Sequence, residues 1–201
     1  MKKYNQPGDV HFSTFRTYKS YPFFKDENCC IIFLKNLEFY RQRYDLKIYG
    51  YAILLEHIHQ MMRFDMVKYP QLTISKIIQD FKSSVARQII DYYKSTAARK
   101  AGSQEPLLLA AISNLSMEQE LHATHRVNKN HKLGLKYRLW QPGFYDFNIY
   151  TTKKFYEKLN YIHYNPIKHG LTDNISKYKY CSWKNYELGD HSIFKIDYPE
   201  D

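Results

Sequence analysis

Leu46 to Phe64 reads L-K-I-Y-G-Y-A-I-L-L-E-H-I-H-Q-M-M-R-F, and this stretch decides the fold. Leu46 to Leu55 is rich in β-branched and aromatic residues and nearly apolar on both faces at its end. Central strands covered on both sides read this way. His57 to Phe64 follows as another strand candidate, with Glu56 at a tight connection between the two. Upstream, Val10 to Tyr18 (V-H-F-S-T-F-R-T-Y) has strand composition and stops at Tyr21-Pro22. Asp26 to Tyr44 then carries Ile31, Ile32, Leu34, Leu37, Phe39 and Tyr40 at roughly helical spacing. Downstream, Ile74, Ile77, Ile78, Phe81, Val85, Ile89 and Ile90 mark one face of a long helix over Thr73 to Tyr93.

The rest of the chain is read outward from that unit. Lys100 to Pro106 is a loop by its Gly, Ser and Pro. Leu107 to Leu121 has helical periodicity, and His122 to Leu135 is basic and polar. Residues 96 to 136 are therefore expected to form an insertion within a single domain spanning 1–201. Gln141-Pro142-Gly143 is a turn, and Phe144 to Tyr150 reads as a fourth strand. Thr151 or Thr152 can cap a helix from Lys153 to about Asn165, with Phe155, Leu159 and Ile162 as its apolar stripe and Pro166 and Gly170 closing it. The tail from Tyr178 to Asp201 is expected to pack on the core. The order β-α-β-β-α-(insertion)-β-α predicts an α+β fold. Its form is a ferredoxin-like antiparallel sheet with helices on one face, plus a partly helical insertion and a C-terminal tail.

Composition limits the function classes. The chain has 201 residues, 30 Lys plus Arg against 20 Asp plus Glu, a net charge of +10 and 17% aromatic residues. These values exclude a disordered, collagen-like or disulfide-scaffold chain. A domain at this charge is drawn to polyanions, and single-stranded nucleic acid is gripped by cationic grooves with stacking rings. Base composition of the genome is the competing source of Lys and Tyr. Cys29, Cys30 and Cys181 form no C-x-x-C, which points to free thiols in a reducing compartment. Met1 to Val10 has no apolar stretch and no run approaches the ~18 residues of a membrane span. The expectation is a cytoplasmic protein with no membrane partner.

Two residue pairs carry chemistry. His57 and His59 alternate on a strand, so their imidazoles project together, ~6.5 Å apart along the backbone, with Ile58 turned to the core. Both nitrogens can then reach one divalent ion, although H-x-H also arises by chance. Tyr161 and Asn165 stand at i and i+4 of a helix and share a face. A tyrosine with a pKa of ~10 is a poor nucleophile unless a cation stabilises its phenolate or a metal polarises its phosphate target. Asn165 can add a hard oxygen to the two imidazoles, a mixed set suited to Mn²⁺ or Mg²⁺. The plain alternative is that Tyr161 is one of 20 tyrosines and Asn165 merely precedes Pro166.

Taken together, these segments resemble the single-tyrosine HUH transposases. The resemblance rests on Glu56-His57-Ile58-His59 after an apolar strand and on Trp140-Gln141-Pro142-Gly143-Phe144-Tyr145-Asp146. It rests above all on Asn160-Tyr161-Ile162-His163-Tyr164-Asn165-Pro166-Ile167-Lys168-His169-Gly170-Leu171. The branch associated with repetitive extragenic palindromes is the most similar, and Tyr180-Cys181-Ser182-Trp183 also matches it. Coverage is roughly Val10 to Phe64 and Trp140 to Tyr186. The resemblance implies that His57, His59 and Asn165 hold a divalent metal, Mg²⁺ or Mn²⁺, and that Tyr161 is the nucleophile. Its substrate would be single-stranded DNA beside a hairpin, of the repetitive palindromic or element-end type. The reaction would pass through a 5′-phosphotyrosine link, in a nucleoid-associated monomer or homodimer.

Leu55 departs from the proline often found two residues before the first histidine of the family. Tyr164 is a rival nucleophile that, on a regular helix, points ~100° away from Asn165. His163 and His169 read as DNA contacts or surface residues. His122, His125 and His131 lack a completing cysteine or carboxylate set for a second metal site. Lys129, Lys132, Lys136, Arg138, Lys153, Lys154 and Lys168 are candidate phosphate contacts. The rival functions are a non-catalytic nucleic-acid-binding protein derived from such a transposase and a metal-dependent hydrolase unrelated to DNA.

Overall fold

The computed structural model describes residues 9–100 and 138–199. The expected helix at Leu107–Leu121, most of the expected insertion, His122, His125, His131, Lys129, Lys132 and Lys136 lie outside these residues. Four strands are present: β1 (Val10–Arg16), β2 (Lys47–Ile53), β3 (His57–Arg63) and β4 (Tyr145–Ile149). They form an antiparallel sheet in the order β2-β3-β1-β4. Helix α1 (Glu27–Tyr44) joins β1 to β2, and α2 (Ile74–Lys100) follows β3. Helix α3 (Thr152–Lys168) follows β4, and a short α4 (Trp183–Leu188) lies in the tail. This is the ferredoxin-like α+β architecture expected from the sequence.

Local chemistry sets the ends of α1. Asp26 caps it by accepting from the Asn28 N–H at 2.9 Å, and Asp45 leaves it in the left-handed region at φ 54°. An aspartate cap relieves one of the unpaired N–H groups of the first turn. Helices α1 and α2 cover one sheet face, where Phe15, Ile58 and Met62 meet Phe33, Leu37, Ile78 and Phe81. Phe33 and Phe81 pack edge to face at 4.9 Å. Each such buried ring contributes on the order of 2 kcal/mol relative to exposure.

The third helix departs from the expected one-sided arrangement. Phe155, Leu159 and Ile162 of α3 pack with Phe12, Tyr49, Ala52 and Met61 on the opposite face of the sheet. Gly50 permits this approach, because a Cβ there would lie 2.8 Å from Leu159 Cδ1. Helix α3 also runs past Pro166 to Lys168, beyond the expected stop near Asn165. A proline in the last turn removes one N–H and need not end the helix there. Helix α2 likewise extends beyond Tyr93 to Lys100.

Strand β2 is buried on both faces, as its composition implies, yet it is an edge strand rather than a central one. The tail covers that edge. Ile53 N–H donates to Tyr180 O and Ser182 N–H to Tyr51 O, both at 2.9 Å. Asp197 accepts from the Ile48 N–H at 2.9 Å and from Arg41 Nη2 at 3.0 Å. A covered edge cannot template pairing with another chain. Cys29, Cys30 and Cys181 are free and buried. Among the described residues no helix is long and apolar enough to cross a membrane.

A buried polar cluster lies on the α1/α2 side. His11 Nδ1–H donates to the Asp146 carboxylate oxygens at 3.2 and 3.3 Å, and Ser13 Oγ donates to Asp146 at 3.3 Å. Asp146→Ala would strand both donors out of water. A loss of about 3 kcal/mol in unfolding free energy is expected. Urea denaturation checks this, and an unchanged midpoint would show that the cluster contributes nothing to stability.

Candidate active site

The register of β3 sets the centre of the site. His57 pairs across from Arg16 and His59 from Thr14, which directs both imidazoles to the sheet face that α3 covers. The two rings lie 4.9 Å apart, edge to face. His57 Nδ1–H donates to Glu56 Oε1 at 2.9 Å, which leaves Nε2 as its ligating nitrogen. Burial lowers the His57 pKa, and the Glu56 bond opposes this. His59 is stacked on Phe12 at 5.6 Å, and its Nδ1 lies 2.7 Å from Thr14 Oγ1. With Nδ1–H donating to the hydroxyl, Nε2 carries a free lone pair. Burial, reinforced by His57, brings the His59 pKa down to about 3, with Asn165 working the other way.

Asn165 reaches the same place from α3. Its Nδ2 donates to the Tyr161 carbonyl at 2.5 Å, which fixes the amide. Asn165 Oδ1 and His59 Nε2 are both buried and have no hydrogen-bond partner. A buried polar atom without a partner costs roughly 1–3 kcal/mol, so two such atoms on adjacent side chains mark a place for a ligand. One imidazole nitrogen from each histidine and one amide oxygen suit a divalent cation of the Mn²⁺ or Mg²⁺ kind. The residues present therefore fit a metal.

The structure adds His169. It caps the C-terminus of α3, with its N–H on Asn165 O at 2.9 Å, and its ring stands 4.8 Å from that of His57. Donor atoms of Glu56, His57 and His169 lie within 4.8 Å of one another. Its i+4 spacing from Asn165 is the signal that could have placed it here. It became usable only because α3 continues through Pro166.

Tyr161 stands beside the histidines. Its ring is 5.2 Å from His59 and 5.8 Å from Phe12, and it is 40% exposed. The ammonium groups of Lys158 and Lys168 lie 5.8 and 5.6 Å from its ring centre. Tyr164 is 60% exposed, and among the described residues its ring meets neither histidine. Of the other candidate cations, Lys154 is ion-paired to Glu157 at 2.6 Å and Arg138 lies over the Tyr18 ring at 5.3 Å. Lys153 is exposed. Lys158, at i−3 from Tyr161, was absent from the sequence reading.

His163 is neither a surface residue nor near the site's opening. It is buried, with Nε2 3.0 Å from Ser182 Oγ, and burial pulls its pKa from 6.5 to about 4. The unfolded chain thus takes up a proton near pH 6.5 that the fold refuses until about pH 4. Stability from this group is complete above pH 6.5 and is lost as pH falls toward 4. At pH 5 the loss is about 2 kcal/mol. His163→Gln should remove that part of the acid sensitivity, as read from urea midpoints at pH 7 and 5. An unchanged slope would assign the sensitivity elsewhere.

No protein-family model matches the chain. It is 36% identical over 53 residues to a REP-associated tyrosine transposase of Escherichia coli, 26% of this chain and 32% of that protein. It is 33% identical over 75 residues to a Haemophilus influenzae protein named for the same transposase type, 37% of this chain and 39% of that protein. The matched stretches thus span only about a third and two fifths of the two curated relatives. A solved REP-associated tyrosine transposase bound to a REP hairpin shares the fold, with a TM-score of 0.62 at 15% identity. That alignment covers 100% of this chain and 91% of the other.

Proposed function

We propose that this chain, which resembles the REP-associated tyrosine transposases in sequence segments and in fold, cleaves and rejoins single-stranded DNA beside a hairpin. The observation that carries the reading is the convergence on one sheet face of His57, His59, Asn165 and an exposed tyrosine, Tyr161. A pure binder has no physical need of two buried, unpartnered ligand atoms next to a phenol.

In this reading Tyr161 Oη attacks a backbone phosphorus. The Oη–P bond forms, the P–O3′ bond breaks, the phenol proton passes to solvent, and the departing 3′-oxygen takes a proton. The product is a 5′-phosphotyrosine and a free 3′-hydroxyl. Attack by another 3′-hydroxyl reverses the step and rejoins strands. No ATP is required, because the ester bond is kept in the covalent intermediate. His57, His59 and Asn165 would hold a divalent metal, Mg²⁺ or Mn²⁺, whose chemistry is to polarise the scissile phosphate and offset developing charge. Glu56 orients His57 and Thr14 orients His59, the outer partners that ligating histidines ordinarily have. The net charge of +10 supplies salt-dependent attraction to the strand. The DNA partner, the metal, a monomeric or dimeric state and a nucleoid-associated cytoplasmic location all belong to this proposal.

The test is incubation with a labelled library of single-stranded hairpins and Mn²⁺, resolved on a denaturing gel. A protein–DNA band that survives denaturation is expected. Salt-dependent binding with no covalent band, across metals and hairpins, would replace the reading with that of a non-catalytic binder.

A further inference from the structure

The candidate mechanism leaves two neighbouring side chains unused, Tyr145 and Lys158. Tyr145, Thr14 and His59 form one cross-strand row over β4, β1 and β3. Side chains in such a row share a face, so Tyr145 stands about 10 Å from His59 by two strand spacings. It is 44% exposed, and its ring meets Phe12 edge to face at 6.2 Å. Phe12 in turn stacks on His59 and meets the edge of Tyr161. A free aromatic face therefore lies on the same surface as the candidate nucleophile, separated by one ring.

Lys158 occupies the ground between them. Its ammonium lies 4.8 Å from the Phe147 ring centre, 5.1 Å from Phe12 and 5.8 Å from Tyr161. Among the described residues no carboxylate pairs with it, and the adjacent Glu157 is bonded to Lys154 at 2.6 Å. A half-buried ammonium held by ring faces rather than by a carboxylate keeps its charge available to an anion. Lys158, Tyr161, Asn165 and Lys168 recur at spacings that fall on one face of α3.

We propose that Tyr145 and Lys158 form a subsite for the nucleotide adjoining the cleaved phosphodiester, Tyr145 stacking on its base and Lys158 binding a backbone phosphate. This rests on the reading of the chain as acting on single-stranded DNA. Stacking is tolerant of sequence, so the subsite would set the position of the strand and leave sequence choice to other contacts. Both groups touch DNA before any bond changes, so their effect is on binding of the strand.

Fluorescence anisotropy with a short labelled oligo(dT) and an abasic deoxyribose-phosphate oligomer of the same length, over a range of salt, tests it. Tyr145→Ala should weaken oligo(dT) binding about tenfold and leave the abasic probe unaffected, while Tyr145→Phe keeps wild-type affinity. Lys158→Met keeps an apolar stem over Phe12 and Phe147. It should weaken both probes and reduce the slope of log K against log salt by about 0.7. Equal behaviour of the two probes toward Tyr145→Ala, or an unchanged slope for Lys158→Met, overturns the subsite. If the wild-type chain binds neither probe, the subsite is overturned; if it also fails to bind any single-stranded hairpin of the library, the single-stranded DNA reading fails with it.

Discussion

A Tyr161→Phe variant is expected to form no covalent adduct with DNA while it continues to bind hairpins at near wild-type affinity. The substitution removes only Oη, and without it no oxygen–phosphorus bond can form at this position. Adduct formation should fall to background, the complete loss expected when a covalent nucleophile is removed. The ring contacts with His59 and Phe12 are retained. Stability should therefore stay within about 0.5 kcal/mol, as for surface changes that disturb no packing. Tyr164→Phe should leave adduct formation intact, since that ring faces solvent away from the histidines. A denaturing gel on the three proteins reads both outcomes. Undiminished adduct in Tyr161→Phe would remove Tyr161 from the role, and loss in Tyr164→Phe alone would transfer it.

The second large effect concerns the metal. His57→Ala with His59→Ala should weaken Mn²⁺ binding by at least ~100-fold, since even changes to the outer partners of metal ligands cost ~10–100-fold. Electron paramagnetic resonance of free Mn²⁺ measures this without reference to DNA cleavage. Two donor sets share His57, and single variants separate them. If the ion sits with His59 and Asn165, Asn165→Ala weakens binding and His169→Ala leaves it nearly unchanged. If it sits with Glu56 and His169, the pattern inverts. Wild-type Mn²⁺ affinity in the double variant would contradict a metal centre at these histidines.

The sheet was legible because its strands carry clear composition and its helices clear periodicity. Leu46 to Phe64 became β2 and β3 within two residues at each end. Three features escaped, each for a physical reason. Periodicity marks the apolar face of a helix but not the sheet face that receives it, so α3 was not placed opposite α1 and α2. The double-sided burial of β2 suggested a central strand, whereas its outer edge is satisfied by Tyr180 to Ser182 from the far end of the chain. Pro166 reads as a stop, yet α3 continues for two residues and carries His169 to His57.

The site was legible in part. His57, His59, Tyr161 and Asn165 were singled out from spacing and resemblance, and the fold brings all four to one side of the sheet. What spacing could not supply was the company they keep. Thr14 and Phe12 reach His59 through strand pairing across 45 residues or more. Lys158 is set apart from the exposed Lys153 and the ion-paired Lys154 only by the rings beneath it. His163, adjacent in sequence to the site, turns instead to Ser182 and the core.

The most direct measurement is peptide mapping of a covalent complex by mass spectrometry, after incubation with single-stranded hairpin DNA and Mn²⁺ and complete nuclease digestion. A nucleotide phosphate on the peptide carrying Tyr161, at Tyr161 itself, is the expected result. An adduct at another residue, or none under conditions where the hairpin is bound, would contradict the account.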